Sequence, residues 1–204
     1  MTRNKYIDEI CHTKTKKYPF STCKFDINTM VISIHSCLNI GNMIRSANLT
    51  GVSRFFIFGN RLYDKRSAMC SYSHTQIIRI ADKELKERLT EEDYNFDENL
   101  FYDTFIQNDM YPIFIEQDKD GIFVEDINWN EILIGNPCFV FGNEKLGIPN
   151  NLLKIKDKFT NSKIIQVRQV GNVNSYNVSN MYAIIMHNIF ERNLKKVKDQ
   201  YGLM

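Results

Sequence analysis

The chain has 204 residues, of which 43% are hydrophobic, 25% charged and 12% aromatic, and its net charge is +2 at pH 7. These values are typical of a globular domain with a sizeable core, and they exclude a fibrous or intrinsically disordered chain. The net charge is too small to indicate nucleic-acid binding by itself, because the acidic residues of Glu84–Glu98 and Glu116–Glu131 mask basic clusters elsewhere.

The cysteine pattern predicts reduced thiols in the cytoplasm and no metal site, since it contains neither a C-x-x-C pair nor a nearby run of histidines. The five cysteines are Cys11, Cys23, Cys37, Cys70 and Cys138. No window approaches 18 apolar residues and the first residues lack an apolar signal core, so we expect no association with a membrane.

Residues 1–28 are polar and basic, and we interpret them as an N-terminal extension of a single domain that covers residues 29–204. Lys14, Lys16 and Lys17 lie close together in this extension. They form either a solvated arm or an arm that contacts phosphates.

Short apolar runs predict five buried strands, at Met30–Ser36, Arg54–Gly59, Tyr111–Glu116, Pro137–Gly142 and Lys163–Val167. Helical spacing or capping predicts helices over Leu38–Gly51, Lys83–Glu92, Leu100–Gln107, Pro149–Lys156 and from Val178 onward. This alternation predicts an α/β domain with a mostly parallel sheet flanked by helices.

The segment Asn60–Asn99 is polar and difficult to assign. Its basic residues Arg61, Lys65 and Arg66 are interleaved with Tyr63 and Tyr72. They are candidates for RNA phosphate and base contacts, and an ordinary exposed loop is the alternative.

Three predicted strands run into polar, glycine-containing segments, at Asn39–Arg45, Gly142–Gly147 and Gly171–Ser179. Because the carboxyl ends of parallel strands lie on one edge of a sheet, we expect these segments to converge on one pocket. Neither a G-x-G-x-x-G dinucleotide fingerprint nor a P-loop is present, so an ordinary Rossmann site is disfavoured.

At these segments the sequence resembles the SpoU (TrmH-type) RNA 2′-O-ribose methyltransferases of the SPOUT superfamily. The first motif, N-x-G-x-x-x-R-S-A, is matched by residues 39–47, the second, F-G-N-E-x-x-G, by 141–147, and the third, S-x-N-V-S, by 175–179. The resemblance covers roughly residues 30–190.

The resemblance implies a C-terminal deep trefoil knot, a homodimer with the active site near the subunit interface, and S-adenosylmethionine (AdoMet) as the cofactor. It also implies that the adenine is recognised chiefly through backbone groups of the second and third motifs. The expected cofactor-binding residues are Phe141, Gly142, Asn143, Gly147, Val167, Gln169, Gly171, Ser175, Tyr176 and Asn177.

The implied reaction transfers a methyl group to a ribose 2′-hydroxyl of RNA. The implied catalytic residues are Arg45, Asn39, Glu144, Ser175 and Asn177. The family assigns activation of the hydroxyl to Arg45, whereas the basicity of a guanidinium favours a clamp on a phosphate or oxyanion. The alternative for the Asn and Ser residues is helix capping and turn formation.

The third motif departs from the family pattern at Arg168-Gln169, where Pro-Met is common, and at Tyr176, where Leu is usual. Without the proline the loop is less preorganised for adenine, which leaves a catalytically weak RNA-binding paralogue as the alternative function. A short chain without a separate RNA-binding domain favours tRNA over rRNA as the substrate.

Overall fold

The computed structural model describes residues 25–81, 96–173 and 175–201, with side chains described as far as residue 195. In these ranges seven strands form one sheet in the order β3-β2-β1-β6-β4-β7-β5, and every registered pairing is parallel. The strands are β1 (Phe25–Ile32), β2 (Val52–Phe58), β3 (Gln76–Ile80), β4 (Tyr111–Ile115), β5 (Ile122–Phe123), β6 (Pro137–Phe141) and β7 (Lys163–Gln166).

Six α-helices lie in the same ranges: α1 (Cys37–Leu49), α2 (Lys65–Ala68), α3 (Glu98–Gln107), α4 (Trp129–Ile132), α5 (Asn150–Leu153) and α6 (Val178–Tyr201). Single 3₁₀ turns occur at Ser71–Ser73 and Val124–Asp126, and a longer one at Lys154–Lys158. The predicted α/β fold with a mostly parallel sheet is confirmed, whereas the knot stays a prediction.

The sheet is covered on both faces, because neighbouring residues of a strand point to opposite sides. Val31 belongs to a core cluster shared with α1, α4 and α6, while Met30 and Ile32 belong to a second cluster shared with α3, α5 and Lys154–Lys158. Both faces of the strands are therefore buried, which explains their nearly continuous apolar sequences.

Tyr182 fixes the last helix on the sheet. Its ring is fully buried and packs edge-on against Phe55 and, tilted, against Phe141, and its hydroxyl lies 3.1 Å from Thr29 Oγ1 on β1. This contact holds the start of α6, which contains the end of the third motif, beside the carboxyl edge of β6.

Three sequence predictions are corrected at the level of elements. The first strand begins at Phe25 and ends at Ile32, because the polar Asn28 within it is fully buried and hydrogen-bonded to Arg54 Nε at 2.8 Å and to Asn136 Oδ1 at 2.6 Å. Strands β3 and β5 lie in segments that were assigned to no strand. The predicted helix Lys83–Glu92 and the residues Lys14, Lys16 and Lys17 lie outside the described residues.

Cys37 and Cys138 are free thiols, whereas Cys11 and Cys23 lie outside the described residues. Across the described ranges, no helix is long and apolar enough to cross a bilayer, and no group of three His, Cys, Asp or Glu side chains is arranged to hold a metal ion.

Candidate active site

The loops that follow β1, β6 and β7 meet at the carboxyl edge of the sheet, as the parallel topology predicts. Their meeting point is the carboxylate of Glu144. Its Oε2 accepts the backbone N–H of His35 at 2.6 Å, and its Oε1 accepts the N–H of Ser36 at 3.0 Å and Asn39 Nδ2 at 2.8 Å. Glu144 thereby joins the second motif to the amino-terminal turn of α1, which carries the first.

Asn177 extends this network to the third motif. Its Nδ2 donates to Asn39 Oδ1 at 3.2 Å, and its own Oδ1 accepts the backbone N–H of Ser179 at 2.9 Å at the start of α6. The hydrogen bonds from Asn39 to Glu144 and from Asn177 to Asn39 therefore form one chain, and each bond joins residues more than 100 positions apart. Asn177 therefore caps the start of α6 through its oxygen and belongs to the site network through its nitrogen.

Two opposing effects act on the pKa of Glu144. Partial burial raises the pKa, but hydrogen bonds from the His35 N–H, the Asn39 amide and the Ser36 N–H stabilise the charged form, and the net result is a pKa below the ordinary value. Glu144 is consequently an ionised structural bridge near neutral pH.

The second motif forms a tight hairpin closed by two backbone hydrogen bonds, Asn143 N–H to Gly147 O at 2.8 Å and Gly147 N–H to Asn143 O at 3.0 Å. Glycine is required at both ends. A Cβ on Gly142 would overlap the backbone of Gly147 and lie 2.5 Å from Ile148 N, while Gly147 has φ +66°. Asn143 Nδ2 anchors the hairpin to Ser33 O at 2.8 Å.

A cavity of about 250 Å³ opens between this hairpin, the end of β4 and the third-motif loop. Eight of the ten predicted cofactor-binding residues line it: Phe141, Gly142, Asn143, Gly147, Val167, Gln169, Ser175 and Tyr176. Gly171 and Asn177 lie outside the lining. Of the predicted catalytic residues, Glu144 and Ser175 line the cavity, and Asn39 reaches it through Glu144.

Arg45 is exposed on α1, and no hydrogen bond or ion pair joins it to another residue in the described ranges. Asn39 and Glu144 thus bind each other and not Arg45. The guanidinium is available to a ligand outside the protein.

The three predicted RNA-binding side chains in the 61–66 segment all have protein partners. Lys65 Nζ lies 5.4 Å from the centre of the Tyr72 ring, and Arg66 Nη2 is 2.7 Å from Asp64 Oδ2. Arg61 lies beside the site, with Nη2 3.4 Å from Nδ1 of His35.

Sequence reasoning missed Glu116, Gln117, Lys145, Gln166, Val178 and Met181, which also line the cavity. Glu116 follows β4 directly and lies beside the hairpin, its Oε2 accepting the N–H of Ile148 at 2.7 Å. It could have been found by the rule that identified the other loops, since it is a polar residue at the carboxyl end of a buried parallel strand.

The third-motif loop is held by side chains that replace the missing proline. Arg168 Nε donates to Glu125 Oε1 at 2.6 Å, and its guanidinium carbon lies 3.9 Å from the centre of the Phe123 ring. Gln117 Nε2 donates to Val167 O at 3.0 Å. Val167 and Arg168 are therefore held by contacts to Gln117, Phe123 and Glu125.

The model of the SpoU rRNA methylase family matches residues 26–187, which is most of the chain and includes all three motifs. The chain belongs to this family. No curated protein sequence matches it significantly.

Solved structures show that this SpoU family member shares its fold with RNA-modifying enzymes. The structure of an A. aeolicus TrmH/SpoU tRNA modifying enzyme superposes with a TM-score of 0.65 at 14% identity, covering 89% of this chain and 79% of that one. The SpoU methyltransferase AviRb from Streptomyces viridochromogenes, in complex with AdoMet, gives 0.59 at 16% identity, with 89% and 63% covered.

An AdoMet-bound rRNA methyltransferase from Sinorhizobium meliloti also gives a TM-score of 0.59 at 16% identity, with 82% of this chain and 56% of that chain covered. This SpoU family member therefore spans less than two thirds of the length of the latter two proteins. At these identities the comparison concerns the fold alone.

Proposed function

We propose that the protein transfers a methyl group from AdoMet to a ribose 2′-hydroxyl of RNA, with tRNA as the favoured substrate. The observation that supports this most is the convergence of the three motifs on one cavity through the Glu144–Asn39–Asn177 chain. Membership of the SpoU family makes RNA methylation the reaction class to test first.

The cavity has the polar and apolar groups that an adenosine cofactor requires. Gln169 Nε2 is buried and has no hydrogen-bond partner in the described structure, so an acceptor on a ligand would satisfy it. The apolar side chains of Ile115, Phe141 and Met181 offer a surface for a flat ring. When bound there, AdoMet supplies an electrophilic methyl group on a sulfonium.

The residues around the cavity would act mainly by positioning. Glu144 and Asn39 fix the first turn of α1, and Asn177 fixes the start of α6, so three loops keep one geometry without a ligand. Such rigid placement of two reactants can supply about 7–11 kcal/mol of a reaction barrier. Arg45, exposed and unpaired within the described residues, would clamp an RNA phosphate or the developing oxyanion.

The RNA would approach over α1 and the 61–66 segment. Arg61 lies 3.4 Å from His35, whose N–H binds Glu144, so this basic side chain borders the proposed reaction centre. We further propose a homodimer with the site near the interface. Val170 and Val173, which are 97% and 77% exposed in the single chain, flank the third motif and suit such an interface.

Methylation of RNA tests the function directly. Purified protein is incubated with methyl-labelled AdoMet and either tRNA or rRNA, and the product nucleosides are identified by mass spectrometry. We expect 2′-O-methylated nucleosides from tRNA, and a loss of about 100-fold or more in rate for Arg45→Ala.

Lys158→Ala is the matched control, since Lys158 packs on Tyr102 in the other core layer, 4.9 Å from the ring centre. Its rate should equal that of the unmodified protein. Full activity of Arg45→Ala would contradict its role as a clamp. Incorporation of labelled methyl groups into rRNA alone would contradict the preference for tRNA.

The second candidate is an RNA-binding paralogue with weak or no catalysis, which the Arg168-Gln169 departure favours. Calorimetry separates the two candidates, because the paralogue would bind RNA without measurable AdoMet affinity. The contacts that hold Arg168 favour the enzyme over the paralogue.

A further inference from the structure

Glu116 is an acidic side chain in the proposed cofactor cavity that none of the three motifs includes. It follows β4, which lies between β6 and β7 in the sheet, so its carboxylate reaches the cavity between the second and third motifs. Its Oε2 accepts the Ile148 N–H at 2.7 Å and its Oε1 accepts the Gln117 N–H at 3.0 Å. A Cβ on Gly147 would lie 2.5 Å from Oε2, so the carboxylate packs directly on the hairpin.

The charges that line the cavity make Glu116 its main electrostatic feature. The other charged residues of the lining are Glu144 and Lys145. Glu144 has both oxygens occupied by donors from residues 35, 36 and 39, and Lys145 is exposed to solvent. Glu116 accepts one backbone N–H at each oxygen, whereas Glu144 accepts three donors, so Glu116 is the less compensated of the two carboxylates in the lining.

Burial raises the pKa of Glu116, and the nearby Asp118 adds to this effect, while the hydrogen bonds from Ile148 and Gln117 lower it. The net pKa is above the ordinary value. A partly buried anion that is under-compensated by the protein is stabilised by a cation placed in the same cavity.

We propose that Glu116 selects the positively charged cofactor AdoMet over its neutral product, S-adenosylhomocysteine. Methyl transfer breaks the sulfur–carbon bond, and the electron pair of that bond stays on sulfur, so the product has one positive charge fewer than the cofactor. A carboxylate in the cavity therefore binds the cofactor more tightly than the product and favours product release. This inference rests on the proposed function.

The test is calorimetric binding of AdoMet and of S-adenosylhomocysteine to the full chain and to Glu116→Gln. Glutamine keeps an oxygen that can accept the Ile148 N–H, and the Gln117 N–H that loses its acceptor belongs to an exposed residue that water can reach. The hairpin contact is therefore retained while the charge is removed. We expect the AdoMet Kd to rise about three- to tenfold, as for loss of one partly screened charge interaction, and the product Kd to change less than about twofold.

Glu131→Gln is the control variant, because it removes the same charge from an exposed side chain that lies outside the cavity lining and binds Asn128. It should leave the ratio of the two dissociation constants nearly unchanged. Circular dichroism of all three proteins confirms equal folding.

The outcomes separate this inference from the proposed function. An equal change in both dissociation constants for Glu116→Gln would assign Glu116 to hairpin packing alone and overturn charge selection. If Glu116→Gln changes neither dissociation constant, charge selection is overturned as well. Failure of the unmodified protein to bind either ligand would instead overturn the cofactor assignment, and the inference with it.

Discussion

At the scale of single residues, Glu144 is a motif residue that also holds the surrounding loops together. Its carboxylate accepts three hydrogen bonds that hold the loop after β1 and the first turn of α1. The motif matched at residues 141–147 identified Glu144 as a site residue, but the donors His35 and Ser36 are backbone groups that no side-chain pattern can reveal.

Replacing this carboxylate should destabilise the fold. In Glu144→Gln one of the two oxygens becomes an NH2 donor that faces either the His35 N–H or the Ser36 N–H, so one of these donors loses its acceptor. We expect a loss of about 1–2 kcal/mol in the free energy of unfolding near neutral pH, measured by urea denaturation. Glu131→Gln, at an exposed residue whose partner is Asn128, should change it by less than about 0.5 kcal/mol.

The difference in unfolding free energy between the unmodified protein and Glu144→Gln should depend on pH. The folded-state pKa of Glu144 is below the ordinary value of 4.5, so the stability contributed by its charge is present above that value and is lost as the pH falls through the lower folded-state pKa. The difference between the unmodified protein and Glu144→Gln should therefore shrink on acidification. A difference that is constant from about pH 7 to about pH 4 would contradict this assignment.

At the scale of elements, the third-motif loop depends on Arg168. Its ion pair with Glu125 and its stacking on Phe123 connect the loop after β7 to β5 and the turn beyond it. Gln166 Nε2 adds a hydrogen bond of 2.7 Å to Gly121 O. A proline would restrict the loop through its own φ angle, whereas here neighbouring side chains restrict it.

Removing the Arg168 contacts should weaken cofactor binding more than overall stability. We expect the AdoMet Kd of Arg168→Ala to rise about two- to tenfold, because a looser loop must be ordered on binding, and calorimetry would measure it. Lys163→Ala, at the exposed first residue of β7, is the control. Equal Kd values for Arg168→Ala and the control would show that the loop is ordered by other contacts.

Element boundaries followed from sequence where the strands are short and mostly buried. Strands β6 and β7 match the predicted runs to within one residue at each end, since each is short and buried. The first strand differs from its predicted bounds, because Asn28 is polar and is buried in hydrogen bonds with Arg54 and Asn136. Strand β3 has the sequence QIIRI and none of its five residues is buried, so it lacks the continuous apolar run that identified the core strands.

At the scale of the whole molecule, the proposed homodimer can be tested by measuring the molecular mass of the protein in solution. We expect sedimentation equilibrium to give twice the chain mass of 24.0 kDa. The double variant Val170→Asp and Val173→Asp should shift the molecule toward the monomer and reduce methylation, because it places charge on an apolar surface beside the third motif. Ile134→Asp, at an exposed residue of the amino edge of the sheet, should leave the mass unchanged.

A monomeric unmodified protein with full activity would contradict the homodimer. A dimer that persists in the double valine variant would instead locate the interface away from residues 170–173. Both results are read from the same sedimentation and activity measurements.

The sequence alone determined the α/β class and the three segments that carry the site, because strand periodicity and short motifs are local properties of the chain. Tertiary structure alone decided which groups meet there. Glu144 binds residues more than 100 positions away, Glu116 reaches the hairpin through Ile148, and Arg168 finds Glu125. These contacts depend on the strand order of the sheet, since β4 lies between β6 and β7, and no local pattern encodes that order.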